Sequence, residues 1–209
     1  MIDLLYDHKK KKRGKISKKN KKGMPDNSAG RCVAISNNDT IIVVGMRGGH
    51  VRVYECDPAK KDLGIKYKKT LKNKYAKGWV SEIKFSPNDE YCAIGDHKRF
   101  IYIYATRGKR AWKLKGKDVQ AMQKHSSAIL HMDWSVCGEY LQSVCQAYEI
   151  LFWDVKSRQQ LPGGASSLKN EKWFTWTCKI GFPVQEIWRG TEGGDDVNAV
   201  DRSHFRVME

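Results

Sequence analysis

Three apolar strings recur in the same order along this chain, at a spacing of about fifty residues. Ser36 ends the first string of one unit, Ser86 follows fifty positions later, and Ser135 follows forty-nine positions after that. The second strings occupy 41–45, 91–95 and 140–144, and the third strings occupy 51–54, 101–104 and 150–153. One supersecondary unit is therefore repeated, and such a unit buries its apolar faces only by packing against neighbouring copies.

The strings have the composition of β-strands. They are short, rich in Val, Ile, Tyr, Phe and Trp, and separated by turn-forming residues, which predicts antiparallel hairpins. Weaker fourth strands are predicted at 66–71 and 111–114, a further strand-like segment at 173–178, and the first strand of a fourth unit at 197–200. The aromatic residues that close the third strings recur at the repeat period, and we predict that they pack between units. These residues are Tyr54, Tyr104 and Trp153.

These strands predict an all-β chain in which each repeat forms one blade of a β-propeller. The blade units fall at about 29–78, 79–124 and 125–180, with the start of the next at 181–209. A β-sandwich, the competing architecture, would show strict inward and outward alternation and no fixed repeat. Propellers close with about 4 to 8 blades, so three four-stranded blades and one further strand predict an incomplete ring. The missing blades are expected from the rest of a longer polypeptide or from another chain.

Positive charge is concentrated near the N terminus. The formal net charge is +16, and ten of the fourteen residues between positions 9 and 22 are basic. Such a run repels itself and has no apolar periodicity, so residues 1–28 are predicted to form a basic, extended or disordered arm. The candidate residues for binding an acidic partner are Lys9, Lys10, Lys11, Lys12, Arg13, Lys15, Lys18, Lys19, Lys21 and Lys22. A solvated linker or a nuclear-localisation-like tract is the alternative. Nucleic acid is disfavoured because no aromatic residues interleave with the lysines.

Cysteine use and hydropathy indicate a soluble intracellular protein. The six cysteines include no Cys-x-x-Cys pair and several lie inside apolar strings, which predicts free thiols in a reducing compartment. The first residues lack the apolar run of a signal peptide. No apolar run approaches the roughly 20 residues that span a bilayer, so no membrane partner is expected.

The sequence lacks the motifs of common enzymes and metal sites. It has no nucleophile elbow, phosphate loop or dinucleotide-binding pattern, which predicts a protein without catalytic activity or cofactor. Four His and Cys residues are spaced too widely for a compact zinc site, so we predict core or turn roles for them. They are His125, His131, Cys137 and Cys145. The acidic loop at 190–196 lacks the alternating oxygen ligands of a calcium site. No residue is therefore assigned to catalysis, to a cofactor or to a metal.

The repeats resemble degenerate WD40 repeats. The turn before the third strand lacks the Asp that such repeats usually carry, and the residues found there are Gly49, Lys98 and Ala147 or their neighbours. The Gly-His and Trp-Asp signatures survive only at 124–125 and 153–154. The hydrogen-bonded tetrads of ordinary WD40 repeats are therefore predicted to be mostly missing, and the fold is expected to be a partial WD40-like β-propeller.

A tryptophan-rich stretch carries a sharper resemblance. The segments are 125–135 (His-Ser-Ser-x-Ile-x-x-Met-Asp-Trp-Ser), 148–153 (Tyr-Glu-Ile-Leu-Phe-Trp), 173–188 (Trp-x-x-Trp-Thr-Cys-x-x-Gly-Phe-Pro-Val-x-x-Ile-Trp) and 196–204 (Asp-Val-Asn-Ala-Val-x-Arg-Ser-His). They resemble the second propeller of the echinoderm microtubule-associated protein-like family. The resemblance covers about residues 29–209 and leaves residues 1–28 unexplained.

This resemblance implies a non-enzymatic microtubule-associated scaffold. Its expected partners are tubulin, microtubules or microtubule-associated proteins, and its expected location is the cytoplasm and cytoskeleton. Some family members are parts of cilia and flagella, which adds the axoneme as an expected site. Tubulin is acidic, so a cationic arm would gain from long-range attraction. The alternative is a general intracellular WD40 adaptor that binds other proteins without a link to microtubules.

Overall fold

The computed structural model describes residues 29–61, 63–72, 78–114, 122–188 and 197–202. The strands are β1 (Gly30–Ile35), β2 (Ile41–Met46), β3 (Val51–Glu55), β4 (Lys66–Leu71), β5 (Val80–Phe85), β6 (Tyr91–Asp96), β7 (Ile101–Ala105), β8 (Ile129–Trp134), β9 (Tyr140–Cys145), β10 (Ile150–Asp154) and β11 (Gln159–Gln160). They are followed by helix α1 (Gly164–Ser167) and a 3-10 helix at Phe182–Trp188. In the described ranges, no helix has both the length and the apolar character that crossing a membrane requires.

The strands form three antiparallel sheets, with the orders β1-β2-β3-β4, β5-β6-β7 and β11-β10-β9-β8. The first strand of each sheet contacts the first strand of the next, β1 with β5 and β5 with β8. Contacts between sheets involve mainly their first two strands, as expected for blades arranged around a propeller axis. The predicted all-β, partial propeller is confirmed, and the three sheets do not close a ring within the described residues.

The repeated serines make the same hydrogen bond in every unit. Each hydroxyl oxygen accepts from the backbone N–H five residues later, across the turn between the first two strands. The pairs are Ser36 with Ile41, Ser86 with Tyr91 and Ser135 with Tyr140, at 2.9, 3.0 and 2.9 Å. The first strands β1, β5 and β8 also carry a bulge at equivalent positions. The serines therefore recur because they hold the turn that joins the first two strands of a unit.

Gly45 and Gly95 mark a close approach of neighbouring sheets. A Cβ atom at Gly45 would lie 2.5 Å from Val80 Cγ1, and one at Gly95 would lie 2.7 Å from Ile129 Cγ2. Val80 and Ile129 begin β5 and β8, the first strands of the next sheets. The repeated glycines therefore reflect the spacing between sheets, which a side chain on the second strand would disturb.

Apolar side chains fill the two spaces between the sheets. Tyr104 belongs to the core between the first and second sheets, and Trp153 belongs to the core between the second and third. The exposed fractions of these two residues are 5% and 0%, as the repeat predicted. Tyr54 occupies the equivalent position on the first sheet, where it packs half-buried against Ile42 and Val44 on the face that points away from the second sheet. The trans-sheet hydrogen bond from Trp134 Nε1–H to Lys84 O, 3.1 Å long, links the second and third sheets.

The fourth strand predicted at 111–114 is not formed. Trp112 lies in a turn with φ 57°, and its backbone N–H donates to the carbonyl oxygen of Ala105 at 2.8 Å. Its ring packs against Phe85 and Tyr104, with ring centroids 6.5 and 6.3 Å away. Burial of this ring between the first two sheets prevails over strand pairing. The second sheet therefore has three strands in the described ranges, whereas the third gains a short fourth strand in β11.

The strands predicted at 173–178 and 197–200 also differ from the structure. The first segment contributes a single bridge, between Ser135 and Trp173. No strand is assigned at 197–200. A strand requires a ladder partner, and the described residues contain no second strand of a fourth sheet that could pair with 197–200. The residues at 173–178 instead donate hydrogen bonds to the side chain of an aspartate, Asp133.

Candidate functional site

Residues 173–188, which we call the tryptophan-rich segment, cover the face of the third sheet that points away from the second sheet. Trp173 and Trp176 are both buried and pack edge to face, with ring centroids 6.3 Å apart. Phe152 of β10 lies 6.0 Å from the Trp173 ring, and Val184 of the 3-10 helix belongs to the same cluster. The segment therefore supplies the apolar cover that a neighbouring blade gives to an inner sheet.

Asp133 of β8 holds this segment in place. Its carboxylate is fully buried and accepts hydrogen bonds from the backbone N–H groups of Thr177 and Cys178, both at 2.9 Å. The hydroxyls of Thr175 and Thr177 donate to it at 2.6 and 3.0 Å, and Gln142 Nε2 donates at 3.1 Å. A buried carboxylate is tolerated only with such donors. One side chain therefore replaces the strand pairing predicted for this segment.

An apolar groove of about 330 Å³ lies between the third sheet and the tryptophan-rich segment. Its apolar lining includes Ile150, Phe152, Leu168, Trp173, Trp176 and Phe182. The ring of Phe182 is 57% exposed, and Lys169 Nζ lies 4.6 Å from its centroid. Among the described residues, the lining contains no Asp, Glu, His, Cys, Ser or Thr, and its one charged group is the amine of Lys169. This groove is therefore suited to apolar contact.

His125 anchors a buried polar network in the third unit. Its Nε2 atom lies 2.7 Å from Ser143 Oγ, and Trp153 Nε1–H donates to the same oxygen at 2.8 Å. Its Nδ1 atom lies 3.6 Å from Glu149 Oε2, which also accepts from the Ser126 backbone N–H at 2.9 Å. Hydrogen bonds link Trp153, Ser143 and His125, and Glu149, at ion-pair distance from His125, completes a tetrad of the kind that WD40 repeats carry. The tetrad survives in the unit that keeps the WD40 signatures.

Cys145 brings a third potential metal ligand near His125 and Glu149, and the three ligand atoms lie within 4.8 Å of one another. Hydrogen bonds already use this site, since the Cys145 thiol donates to Glu149 Oε2 at 3.2 Å. Three ligands also fall short of the four of a structural zinc site. His131 lies elsewhere, with Nδ1 3.7 Å from Glu82 Oε1. The core role predicted for His125 and Cys145 is confirmed by their burial.

Burial of His125 predicts a loss of stability at acidic pH. Desolvation lowers its pKa from 6.5 to about 4, which outweighs the opposing effect of the Glu149 carboxylate. The unfolded chain therefore binds a proton below pH 6.5 that the folded chain takes up only near pH 4. We expect the free energy of unfolding to fall by about 2 kcal/mol between pH 7 and pH 4.5 through this group.

Urea unfolding of the native chain and of His125→Asn at both pH values would measure this effect. Burial raises the pKa values of Glu82 and Asp96, so these acids shift stability with pH in the opposite direction. Both chains contain these acids, so the difference between the chains isolates the contribution of His125. The substitution His97→Gln removes an exposed imidazole and serves as the control. An equal pH dependence in the native and His125→Asn chains would contradict the prediction.

The strongest binding candidates from the sequence fall outside the part of the chain that the structure describes. This holds for the basic arm at 1–28 with its ten candidate residues, and for the acidic loop at 190–196. All six cysteines are free thiols. Cys137 is exposed, and its sulfur lies 3.2 Å from Ser135 Oγ in the turn between β8 and β9.

The structural roles of two acids, Asp133 and Glu149, were not predicted from the sequence. Asp133 lies between Met132 and Trp134 in an apolar string, and Glu149 directly precedes the next apolar string. An acid inside a buried strand must find hydrogen-bond donors, so Asp133 could have been recognised as an anchor from its position. The donors from the tryptophan-rich segment, forty-two to forty-five residues away, carry no sequence signal that identifies them.

Comparison with known families extends the resemblance. A family model described as the echinoderm microtubule-associated protein second beta-propeller matches residues 5–208. The match therefore starts well before residue 29 and includes the lysine-rich segment. The expectation that residues 1–28 lie outside the resemblance is corrected for residues 5–28.

Similar proteins belong to the same group. Echinoderm microtubule-associated protein-like 4 of Xenopus laevis is 33% identical over 180 residues, which cover 86% of this chain and 18% of that protein. Echinoderm microtubule-associated protein-like 3 of Homo sapiens is 38% identical over 131 residues, which cover 60% of this chain and 14% of that protein. The chain thus spans less than a fifth of the length of these relatives.

A solved structure shares the fold. A chain of the "Crystal Structure of Mitotic Checkpoint Complex" superposes with a TM-score of 0.51, covering 66% of this chain and 37% of that chain. The sequence identity is 18%, so this likeness concerns the fold alone.

Proposed function

The chain belongs to the echinoderm microtubule-associated protein family, within its second β-propeller, and on this premise we propose that it is a microtubule-associated binding protein. The observation that carries the proposal is the family match across 5–208, which runs through the tryptophan-rich segment. The relatives are named as microtubule-associated protein-like proteins.

We propose that the chain acts by non-covalent docking and not by catalysis. The sheets are held at a set spacing by buried glycine contacts, and the Asp133 hydrogen bonds hold the tryptophan-rich segment on the third sheet. A rigid scaffold of this kind presents surface side chains to a partner with little ordering cost on binding. The apolar groove, whose described lining contains no carboxylate, supports this role by offering a surface for apolar contact.

The place of action that follows from this proposal is the microtubule cytoskeleton, including the ciliary or flagellar axoneme. Cosedimentation of the 209-residue chain with polymerised microtubules tests the proposal directly. We expect the chain to pellet with microtubules at low salt and to remain in the supernatant without them. Absence of the chain from the microtubule pellet at every salt concentration would overturn the proposal. Binding restricted to non-cytoskeletal proteins would instead favour the general WD40 adaptor.

The basic arm is proposed to strengthen this binding by long-range attraction to the acidic microtubule surface. Replacing the ten basic residues between positions 9 and 22 with serine removes ten of the sixteen excess positive charges. We expect at least about tenfold weaker cosedimentation at about 0.01 M salt, where the Debye length is long, and a much smaller difference near 0.15 M.

A matched control replaces the nine lysines of the arm with arginine, which keeps the charge and changes the side chain. This control is expected to bind like the native chain. If cosedimentation of the serine variant depended on salt in the same way as that of the native chain, the propeller alone would account for binding. The proposed role of the arm would then be rejected.

A further inference from the structure

One end of the sheets carries an exposed cluster of one tryptophan and three basic side chains. This end contains the turns between β2 and β3 and between β6 and β7. The guanidinium carbons of Arg31 and Arg47 lie 4.6 and 5.1 Å from the Trp79 ring centroid. The ring of His97 lies 5.2 Å from the same centroid. We call these four residues the Trp79 cluster.

The repeat shows that Trp79 is not needed to form the turn beside it. In each unit a backbone N–H in the turn between the second and third strands donates to the carbonyl oxygen of the residue directly before the first strand. The pairs are Arg47 with Ala29, His97 with Trp79 and Gln146 with Ala128, at 2.9, 2.8 and 2.8 Å. Alanine makes this bond in two units, and tryptophan makes it in the second, where its side chain is 36% exposed. An exposed tryptophan held between basic groups is typical of a binding surface.

An open cavity of about 450 Å³ continues from this cluster. Its wall contains His97 of the cluster, the basic residues Lys98 and Arg99, and polar residues from the third unit, and no carboxylate. Buried Asp96 fixes this wall, because its Oδ1 atom accepts from the backbone N–H groups of Lys98 and Phe100 at 2.8 and 3.0 Å. The basic side chains therefore project from a turn whose backbone is already ordered.

The positive charge at this end is available to a partner. None of Arg31, Arg47, Lys98 and Arg99 forms a salt bridge with an acid in the described residues. Asp96 is 0% exposed, and Glu149 already accepts hydrogen bonds from Ser126 and Cys145. These two acids, within the part of the chain that the structure describes, are thus engaged within the fold.

We propose that this end of the sheets, comprising the Trp79 cluster and the adjoining cavity, docks a carboxylate-rich protein segment. The stacked guanidinium groups present N–H forks that match carboxylates, and Lys98 and Arg99 extend the same charge along the cavity. Two guanidinium groups and an imidazole lie 4.6 to 5.2 Å from the Trp79 ring centroid, so a nucleic-acid base that stacked on this ring would compete with them. The choice of a protein partner rests on the proposed function, and the location of the surface rests on the geometry.

The test uses the full 209-residue chain with the ten arm residues replaced by serine, so that the arm cannot bind the probe. Fluorescence anisotropy would follow a labelled peptide of ten glutamates, with ten-residue oligothymidylate as the competing polyanion. The variant Arg31→Gln/Arg47→Gln is expected to bind the peptide about tenfold more weakly, and Trp79→Ala about fivefold more weakly. Trp79→Ala is expected to fold, because alanine occupies the equivalent position in the other two units.

The matched control is Arg107→Gln/Lys109→Gln, which removes the same charge from exposed residues beyond the far end of β7. It is expected to change the affinity by less than about twofold at 0.15 M salt, where screening limits distant charges. Equal losses in the control and in Arg31→Gln/Arg47→Gln, or no binding by the parent chain, would overturn the inference. If oligothymidylate bound as tightly as the peptide, and the same variants weakened its binding, the proposal of a protein partner would be overturned.

Microtubule pelleting of the native chain separates this inference from the proposed function. If the native chain does not pellet but the peptide results hold, only the microtubule proposal fails. If the native chain pellets but the peptide results fail, only this surface is rejected.

Discussion

Replacing Asp133 with alanine is expected to lower the free energy of unfolding by about 4 kcal/mol. The substitution removes a fully buried carboxylate and leaves the N–H groups of Thr177 and Cys178 and the hydroxyl of Thr175 without their acceptor. Unsatisfied buried donors are costly, and the cavity adds to the loss. Urea unfolding followed by tryptophan fluorescence would measure the effect.

The graded substitution Asp133→Asn keeps the shape and one acceptor oxygen, so we expect about half of the loss. Glu139→Ala removes an exposed carboxylate from the turn that follows β8 and should stay within about 0.5 kcal/mol of the native chain. A loss for Asp133→Ala as small as that for Glu139→Ala would show that the tryptophan-rich segment is held by apolar packing and not by Asp133.

Replacing Gly45 with valine is expected to destabilise the chain by about 3 kcal/mol. The added Cβ would lie 2.5 Å from Val80 Cγ1 and 2.6 Å from Cys32 Sγ, so the first two sheets would have to separate. Gly45→Ala should give an intermediate loss. Without the clash, Gly45→Ala would stabilise the chain, because glycine within a strand lowers stability by roughly 0.5–1 kcal/mol relative to alanine.

Gly163→Ala is the matched control, since a Cβ at Gly163 would meet no atom within 4 Å. Thermal unfolding of the three variants would give the order of stability. If Gly45→Ala and Gly45→Val were as stable as the native chain, the spacing between the sheets would adapt to side-chain size. The repeated glycine would then need another explanation.

The strands of the three units could be predicted because their signals are local. The strings at 41–45, 91–95 and 140–144 correspond to β2, β6 and β9, and turn residues bound each of them. The strand predictions were wrong at 111–114 and 173–178. The aromatic residues of these segments are typical of strands, but in the structure they pack into the apolar clusters between or beside the sheets. In both places burial of large rings prevailed over local strand preference.

Some of the candidate sites could be located from the sequence and others could not. The resemblance located the tryptophan-rich segment, and its family is confirmed. The tetrad in the third unit was not predicted, because the usual Asp is missing near Ala147 and Glu149 takes its place as the acid. The Trp79 cluster had no sequence signal, since Arg31 and Trp79 are forty-eight residues apart and neither belongs to a recognisable motif.

By itself, the sequence determined the repeating unit, its strands and turns, and the concentration of charge near the N terminus. These features depend on composition and on periodicity over a few residues, which the backbone converts directly into strands and turns. Only the tertiary structure decided that Asp133 holds Thr177, forty-four residues away, and that Arg31 and Arg47 meet Trp79 across two sheets. Such contacts follow from how the sheets stack around their axis, because stacking sets which distant side chains share a surface.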